Sequence, residues 1–201
     1  MKASSGIWYK LQHPSFSEPN FFFRLIRMMK RNDNLILTGM PGAGKSTVGV
    51  ILAKMTSRGF TDTDLLIQTS QNRTLQDIVD TDGYGALRKI EEKVLTSLYV
   101  ENHVIATGGS AVYSEPAMTH LRSMGVVIFL DADLPTLESR VHNSGTRGLA
   151  KRPDQDFADL YHERSGLYVR YADITIRCTG RTQEQVCAEI IKQTKSGHRM
   201  C

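Results

Sequence analysis

Apolar and polar positions along most of this chain switch between two periods. Residues 35–38, 59–63, 103–107, 126–130 and 173–177 are short runs with strand length and composition. The fourth, Val126-Val127-Ile128-Phe129-Leu130, is apolar throughout, as a strand buried on both faces must be. Between the runs lie segments with helical periodicity: one opening at Ser46, then 74–80, 85–101, 115–124, 134–142, 156–171 and 182–195. Two of these have readable starts. Ser114-Glu115-Pro116 places a capping hydroxyl before an early proline, and Thr182-Gln183-Glu184-Gln185 has capping-box form. Strands that alternate with helices predict a five-stranded parallel sheet with helices on both faces, an α/β three-layer sandwich.

Residues 1–33 stand outside this alternation and form an appendage to a domain spanning 34–201. They combine Gly, Ser, Pro and His with a short basic-apolar piece, Phe21 to Arg31. A disordered tail, an extra helix and an upstream start are all open readings, the last because Met28 and Met29 sit just before the first strand. The polar, glycine-bearing stretch of residues 143–155 reads as a mobile lid.

The first apolar run leads into Gly39-Met40-Pro41-Gly42-Ala43-Gly44-Lys45-Ser46-Thr47, a complete G-x-x-x-x-G-K-[ST] phosphate loop. Its glycines let successive N–H groups turn inward toward phosphate oxygens. A nucleoside triphosphate is the implied ligand. Gly42, Ala43, Gly44, Lys45, Ser46 and Thr47 would hold it, Lys45 reaching the β- and γ-phosphates and Ser46 coordinating Mg²⁺.

Phosphoryl transfer then requires carboxylates near the metal and arginines near the phosphates. Asp62 and Asp64 stand two apart at the end of the second strand, and in extended chain both would share a face. One could serve Mg²⁺ and the other an acceptor hydroxyl. The competing reading is a polar strand end capping a helix at Leu65. Thr107-Gly108-Gly109-Ser110 follows another strand, on the sheet edge where ligands bind in open parallel sheets. Arg88 lies in a charged helical segment, where an isolated arginine is ordinarily solvated.

Composition narrows the field. The chain has 201 residues, 40% hydrophobic and 23% charged, with a net charge of +4, which fits one globular core with a mild basic excess. The largest basic cluster, Arg24, Arg27, Lys30 and Arg31, is short and lacks aromatic interleaving, so no nucleic-acid partner is expected. No apolar run approaches the roughly 20 residues of a membrane span, and no membrane partner is expected. Cys178, Cys187 and Cys201 lack C-x-x-C spacing, which argues against a disulfide framework or zinc site and for a reducing cytoplasm.

Taken in order, the phosphate loop, Asp62-Thr63-Asp64, the stretch from Asp82 to Glu91, Thr107-Gly108-Gly109, Glu163-Arg164-Ser165-Gly166-Leu167-Tyr168 and Tyr171-Ala172-Asp173 resemble the shikimate kinase family of P-loop small-molecule kinases. The resemblance runs from about Asn34 to Thr194. It implies the P-loop nucleoside-monophosphate-kinase type of fold, a monomer, ATP and Mg²⁺, and phosphorylation of shikimate at its 3-hydroxyl on the way to chorismate and the aromatic amino acids. It also implies an acceptor site made by Asp64, Arg88, Gly108, Gly109 and Arg164. There the carboxylate would bind ring hydroxyls and the two arginines the substrate carboxylate, while Asp62 joins the metal's water shell. Arg147 is favoured as the lid arginine acting on ATP, with Arg152 as the alternative, and Arg181 would flank the adenine. The chain departs from the family pattern at Tyr84, where an acidic residue is common, at Ser110, where a third glycine is common, and in the lid. A kinase for another small hydroxy acid such as gluconate, and a nucleotide-binding regulatory module, are the other readings.

Overall fold

The computed structural model describes residues 34–142, 149–152 and 154–197. The appendage 1–33, Arg147 and most of the expected lid lie outside the described residues.

Five strands form one all-parallel sheet: β1 (Asn34–Thr38), β2 (Gly59–Asp62), β3 (His103–Ala106), β4 (Gly125–Asp131) and β5 (Ile174–Arg177), in the order β2-β3-β1-β4-β5. The described helices are α1 (Lys45–Thr56), α2 (Thr63–Gln71), α3 (Leu75–Asp82), α4 (Tyr84–Thr96), α5 (Glu115–Met124), α6 (Leu134–His142), α7 (Phe157–Tyr171) and α8 (Gln183–Gly197), with a 3₁₀ turn at Ala111–Tyr113. β1 is central, buried along its whole length and paired with β3 on one side and β4 on the other. The chain leaves β1 toward β2 and later crosses over β1 from β3 to β4. Right-handed crossovers in opposite directions put helices on opposite faces, and accordingly α1 packs against α8 while α4 packs against α5. The reversal of strand order opens a crevice at the carboxyl ends of the central strands.

One polar residue sets the register at the other end of the sheet. Asn34 is fully buried, yet its side chain donates to Val100 O (2.7 Å) and Met124 O (3.2 Å) and accepts from His103 N (2.8 Å). The amide therefore loses no hydrogen bonds on burial. Predicted helix starts are also realised: Ser114 accepts from Ala117 N (3.1 Å), and Thr182 and Gln185 exchange reciprocal capping bonds.

Apolar burial divides unequally. The main core is layered on the sheet and includes Ile36, Leu37, Leu52, Ile105, Leu121, Ile128 and Ile190. A second cluster, Ile67, Ile78, Leu87 and Ala150, joins α2, α3, α4 and the segment 149–152.

The second strand requires a correction. It ends at Asp62, and α2 begins at Thr63, so Asp62 and Asp64 are not alternate residues of one extended chain. Asp62 is the N-cap and accepts from Asp64 N at 3.0 Å, because a helix start leaves N–H groups needing an acceptor. The capping reading is the observed one, and both carboxylates nevertheless face the crevice. The third predicted helix, 85–101, stops at Thr96 as α4.

Candidate active site

The crevice is a single cavity of about 620 Å³ running from the phosphate loop to Arg164. At its first end, Gly42 (φ 86°) and Gly44 (φ 91°) hold the loop in the left-handed region, which admits glycine readily. Gly44 caps α1, so that helix presents its N-terminal N–H groups to the loop. Lys45 Nζ donates to Gly39 O (2.8 Å) and Met40 O (3.0 Å), folded back along the loop. Burial lowers its ammonium to about 8, opposed by the nearby Asp64 carboxylate. Ser46 and Thr47 line the same cavity. From the other wall, Arg140 of α6 reaches in and donates to Gly42 O at 3.2 Å.

The second end is assembled from α2, the β3 loop, α4 and α7. Asp64, Gly108, Gly109 and Arg164 all line it. Arg164 is 1% exposed, which settles its place: it is no helix-surface arginine. Its Nη2 donates to Ala150 O at 2.8 Å and its Nε to Tyr113 Oη at 3.3 Å. Arg88 Nη2 donates to the same Ala150 carbonyl at 3.2 Å. Arg88 is thus half-buried behind Ala150 rather than solvated, its guanidinium 3.7 Å above the ring centroid of Tyr113 and 5.2 Å from that of Tyr84. Tyr84 itself packs against the smaller apolar cluster. Tyr168, fully buried, donates to Gly109 O at 2.7 Å and stacks on Phe129, anchoring α7 to the glycine loop.

A further carboxylate faces this end. Glu91 is 3% exposed and accepts from the Ser110 hydroxyl through Oε2, while Oε1 has no hydrogen-bond partner. Burial pushes its carboxyl up to about 7, with the Ser110 bond pulling the other way. The backbone at Gly108 passes so close that an added Cβ would overlap Glu91 Oε1 and lie 2.7 Å from Asp64 Oδ1.

The structure therefore brings Lys45, Ser46, Thr47, Asp62, Asp64, Gly108, Gly109 and Arg164 to one cavity, with Arg88 directly behind it. Arg181 is exposed and is not among the residues lining it, whereas Gln183 is. Arg152 pairs with Glu163 at 3.4 Å. Sequence reasoning passed over Glu91, Tyr113 and Arg140. Glu91 stands three residues after Arg88, a spacing that puts both on one helix side and could have flagged it.

The family model described as shikimate kinase matches residues 41–195. The chain belongs to the shikimate kinase family. A shikimate kinase of Sulfurihydrogenibium sp. (strain YO3AOP1) is 34% identical over 81% of this chain and 98% of its own length, and one of Rippkaea orientalis is 37% identical over 79% and 86%. Among solved structures, the shikimate kinase of Acinetobacter baumannii in complex with shikimate superposes with a TM-score of 0.76 at 29% identity, covering 85% of this chain and 97% of that one. The Aquifex aeolicus shikimate kinase gives 0.71 at 31%, over 82% and 98%. Against this family pattern, the expected acidic position is filled by an aromatic ring under Arg88, and the expected third glycine by a hydroxyl bonded to Glu91.

Proposed function

We propose that this protein transfers the γ-phosphoryl group of ATP to the 3-hydroxyl of shikimate, giving shikimate 3-phosphate and ADP. The observation that carries the reading is the meeting of two arginine Nη2 atoms at one oxygen, Ala150 O, in the cavity that also holds the phosphate loop. Two guanidinium edges aimed at one point fit a carboxylate, which would take the place of that carbonyl when the acceptor binds.

The geometry then divides the work. The phosphate loop and Lys45 cradle the triphosphate, and the Lys45 ammonium leaves its two carbonyl partners for the β- and γ-oxygens. Asp64 accepts from the acceptor hydroxyl and orients its oxygen toward the γ-phosphorus. A bond forms between that oxygen and the phosphorus, the bond from phosphorus to the β,γ-bridging oxygen breaks, and the hydroxyl proton is released. Arg88 and Arg164 hold the far end of the acceptor, and positioning of this kind supplies much of the acceleration. Glu91 adds a second carboxyl facing the ring hydroxyls.

The donor set near the loop suits Mg²⁺: Ser46 hydroxyl and Asp62 carboxylate are hard oxygen ligands lining the same cavity. Bound there with ATP, Mg²⁺ would neutralise charge on the β- and γ-oxygens. No described helix is long and apolar enough to cross a membrane. We place the enzyme, as a monomer, in the cytoplasm, in the route to chorismate and the aromatic amino acids.

The test is ADP release from MgATP with and without shikimate, with gluconate as comparison. Strong stimulation by shikimate alone, with shikimate 3-phosphate seen by mass spectrometry, is expected. Stimulation by gluconate instead, or by neither from protein that binds ATP, would overturn the reading.

A further inference from the structure

Tyr113 lies in the 3₁₀ turn just beyond the glycine loop and touches both arginines of the acceptor end. The two contacts differ in kind. A guanidinium offers a face to aromatic rings and an edge of N–H groups to anions. Tyr113 takes Arg88 by the face, at 3.7 Å, leaving the edge free. It takes Arg164 at Nε, through its hydroxyl at 3.3 Å, leaving the terminal Nη2 free. Those two Nη2 atoms, untouched by Tyr113, meet at Ala150 O. The hydroxyl is itself held, since Tyr113 Oη donates to Glu163 Oε1 at 2.5 Å, and Glu163 Oε2 accepts from Gln155 Nε2 at 2.6 Å and pairs with Arg152. With its proton donated to Glu163, the oxygen presents a lone pair to Arg164, and these two bonds pin the hydroxyl end of the ring while its face lies against Arg88.

We propose that Tyr113 is a positioning residue for the acceptor's carboxylate, fixing Arg88 by ring stacking and Arg164 by its hydroxyl so that both forks address one point. A carboxylate partner in its place would occupy the guanidinium edges and compete with the substrate; an aromatic face does not. This inference rests on the reading of the site as a hydroxy-acid kinase.

The experiment compares Tyr113→Phe and Tyr113→Leu with wild type, using shikimate and its methyl ester as acceptors, at saturating MgATP. Tyr113→Phe keeps the ring and should raise the shikimate KM roughly threefold. Tyr113→Leu loses both contacts and should raise it roughly tenfold or more, with kcat changed by less than about threefold. The KM for ATP should not move in either variant. With the ester, which carries no charge for the arginines, both variants should match wild type. A shikimate KM unmoved in Tyr113→Leu, or one that rises equally for the ester, would overturn the inference. Should Tyr113→Leu not fold, Tyr113→Phe decides alone, an unmoved KM counting against. Wild type that neither binds nor phosphorylates shikimate would overturn the function proposed above and this inference with it, whereas an active wild type with unresponsive variants would overturn only the role of Tyr113.

Discussion

At the phosphate end of the cavity one continuous stretch, residues 39–47, supplies nearly every group, and it does so with backbone N–H donors and a single cation, Lys45. At the acceptor end the groups are side chains brought from α2, α4, the β3 loop and α7, and their aim depends on neighbours such as Tyr113, Glu163 and Tyr168. Backbone donors are positioned by the local turn and need little support. Side-chain donors at the ends of long rotatable stems need a surrounding shell, because geometry looser by about 1 Å forfeits much of the rate. On the proposed function, the same reaction would be served by one locally determined half and one half determined by tertiary packing.

The largest expected effect comes from the phosphate end. Lys45→Met should lower kcat by roughly 10³-fold with an unchanged circular dichroism spectrum, since the cation that follows the transferring charge is gone; retained turnover would show that the backbone alone suffices there. At the acceptor end, Arg88→Ala should raise the KM for shikimate by about 10–100-fold while kcat shifts only a few-fold, as expected for a charged hydrogen bond made before and during transfer. An unmoved KM would take Arg88 out of the site.

Glu91 sharpens the contrast through pH. Folded protein keeps its proton up to about 7, against 4.5 for an ordinary glutamate, so across that window the folded state binds more protons than the unfolded one. Its contribution to stability is complete below about 4.5 and declines as pH rises toward about 7. Urea unfolding of wild type and Glu91→Gln at pH 5 and pH 8 should thus differ in pH dependence by on the order of 2 kcal/mol, the wild type losing more on going to pH 8. Parallel behaviour of the two proteins would mean that Glu91 titrates as an exposed carboxyl does. The smallest effect is steric: Gly108→Ala, whose methyl would press Asp64 and Glu91 apart, should raise the acceptor KM roughly tenfold and leave ATP binding intact. A rise in the KM for ATP instead would tie the glycine loop to the phosphate end.

This contrast also explains what could be read from the chain. The apolar run of β4, the caps at Ser114 and Thr182 and the loop before α1 are local features, and each was legible because its chemistry lies within a few residues. Strand order was not, since it follows from which crossovers cover which face. For Asp62 and Asp64, two-residue spacing leaves a shared strand face and a helix cap equally open, and the demand of α2 for an N-terminal acceptor decides for the cap. Arg88, Glu91 and Arg164 sit in segments that look like charged helix surface, and only the packing of α4 and α7 beside the glycine loop turns those faces inward. Tyr84, where the chain departs from the family pattern, lays its ring against Arg88 and the small cluster and is not among the residues lining the cavity.

That small cluster gives the molecule unequal resistance to opening. Ile67, Ile78, Leu87 and Ala150 form a core separate from the one under the sheet, and units with few buried apolar contacts undergo local opening at a lower free energy than the global transition. Amides of α3 should therefore exchange with solvent hydrogen sooner than those of β1 or β4. Asp64 and Arg88 ride on helices of this softer unit, so under the proposed function an acceptor held by both Arg88 and Arg164 would stitch it to the rigid remainder. Part of the acceptor's binding free energy would then go into suppressing that breathing, and its measured affinity would understate the strength of its contacts.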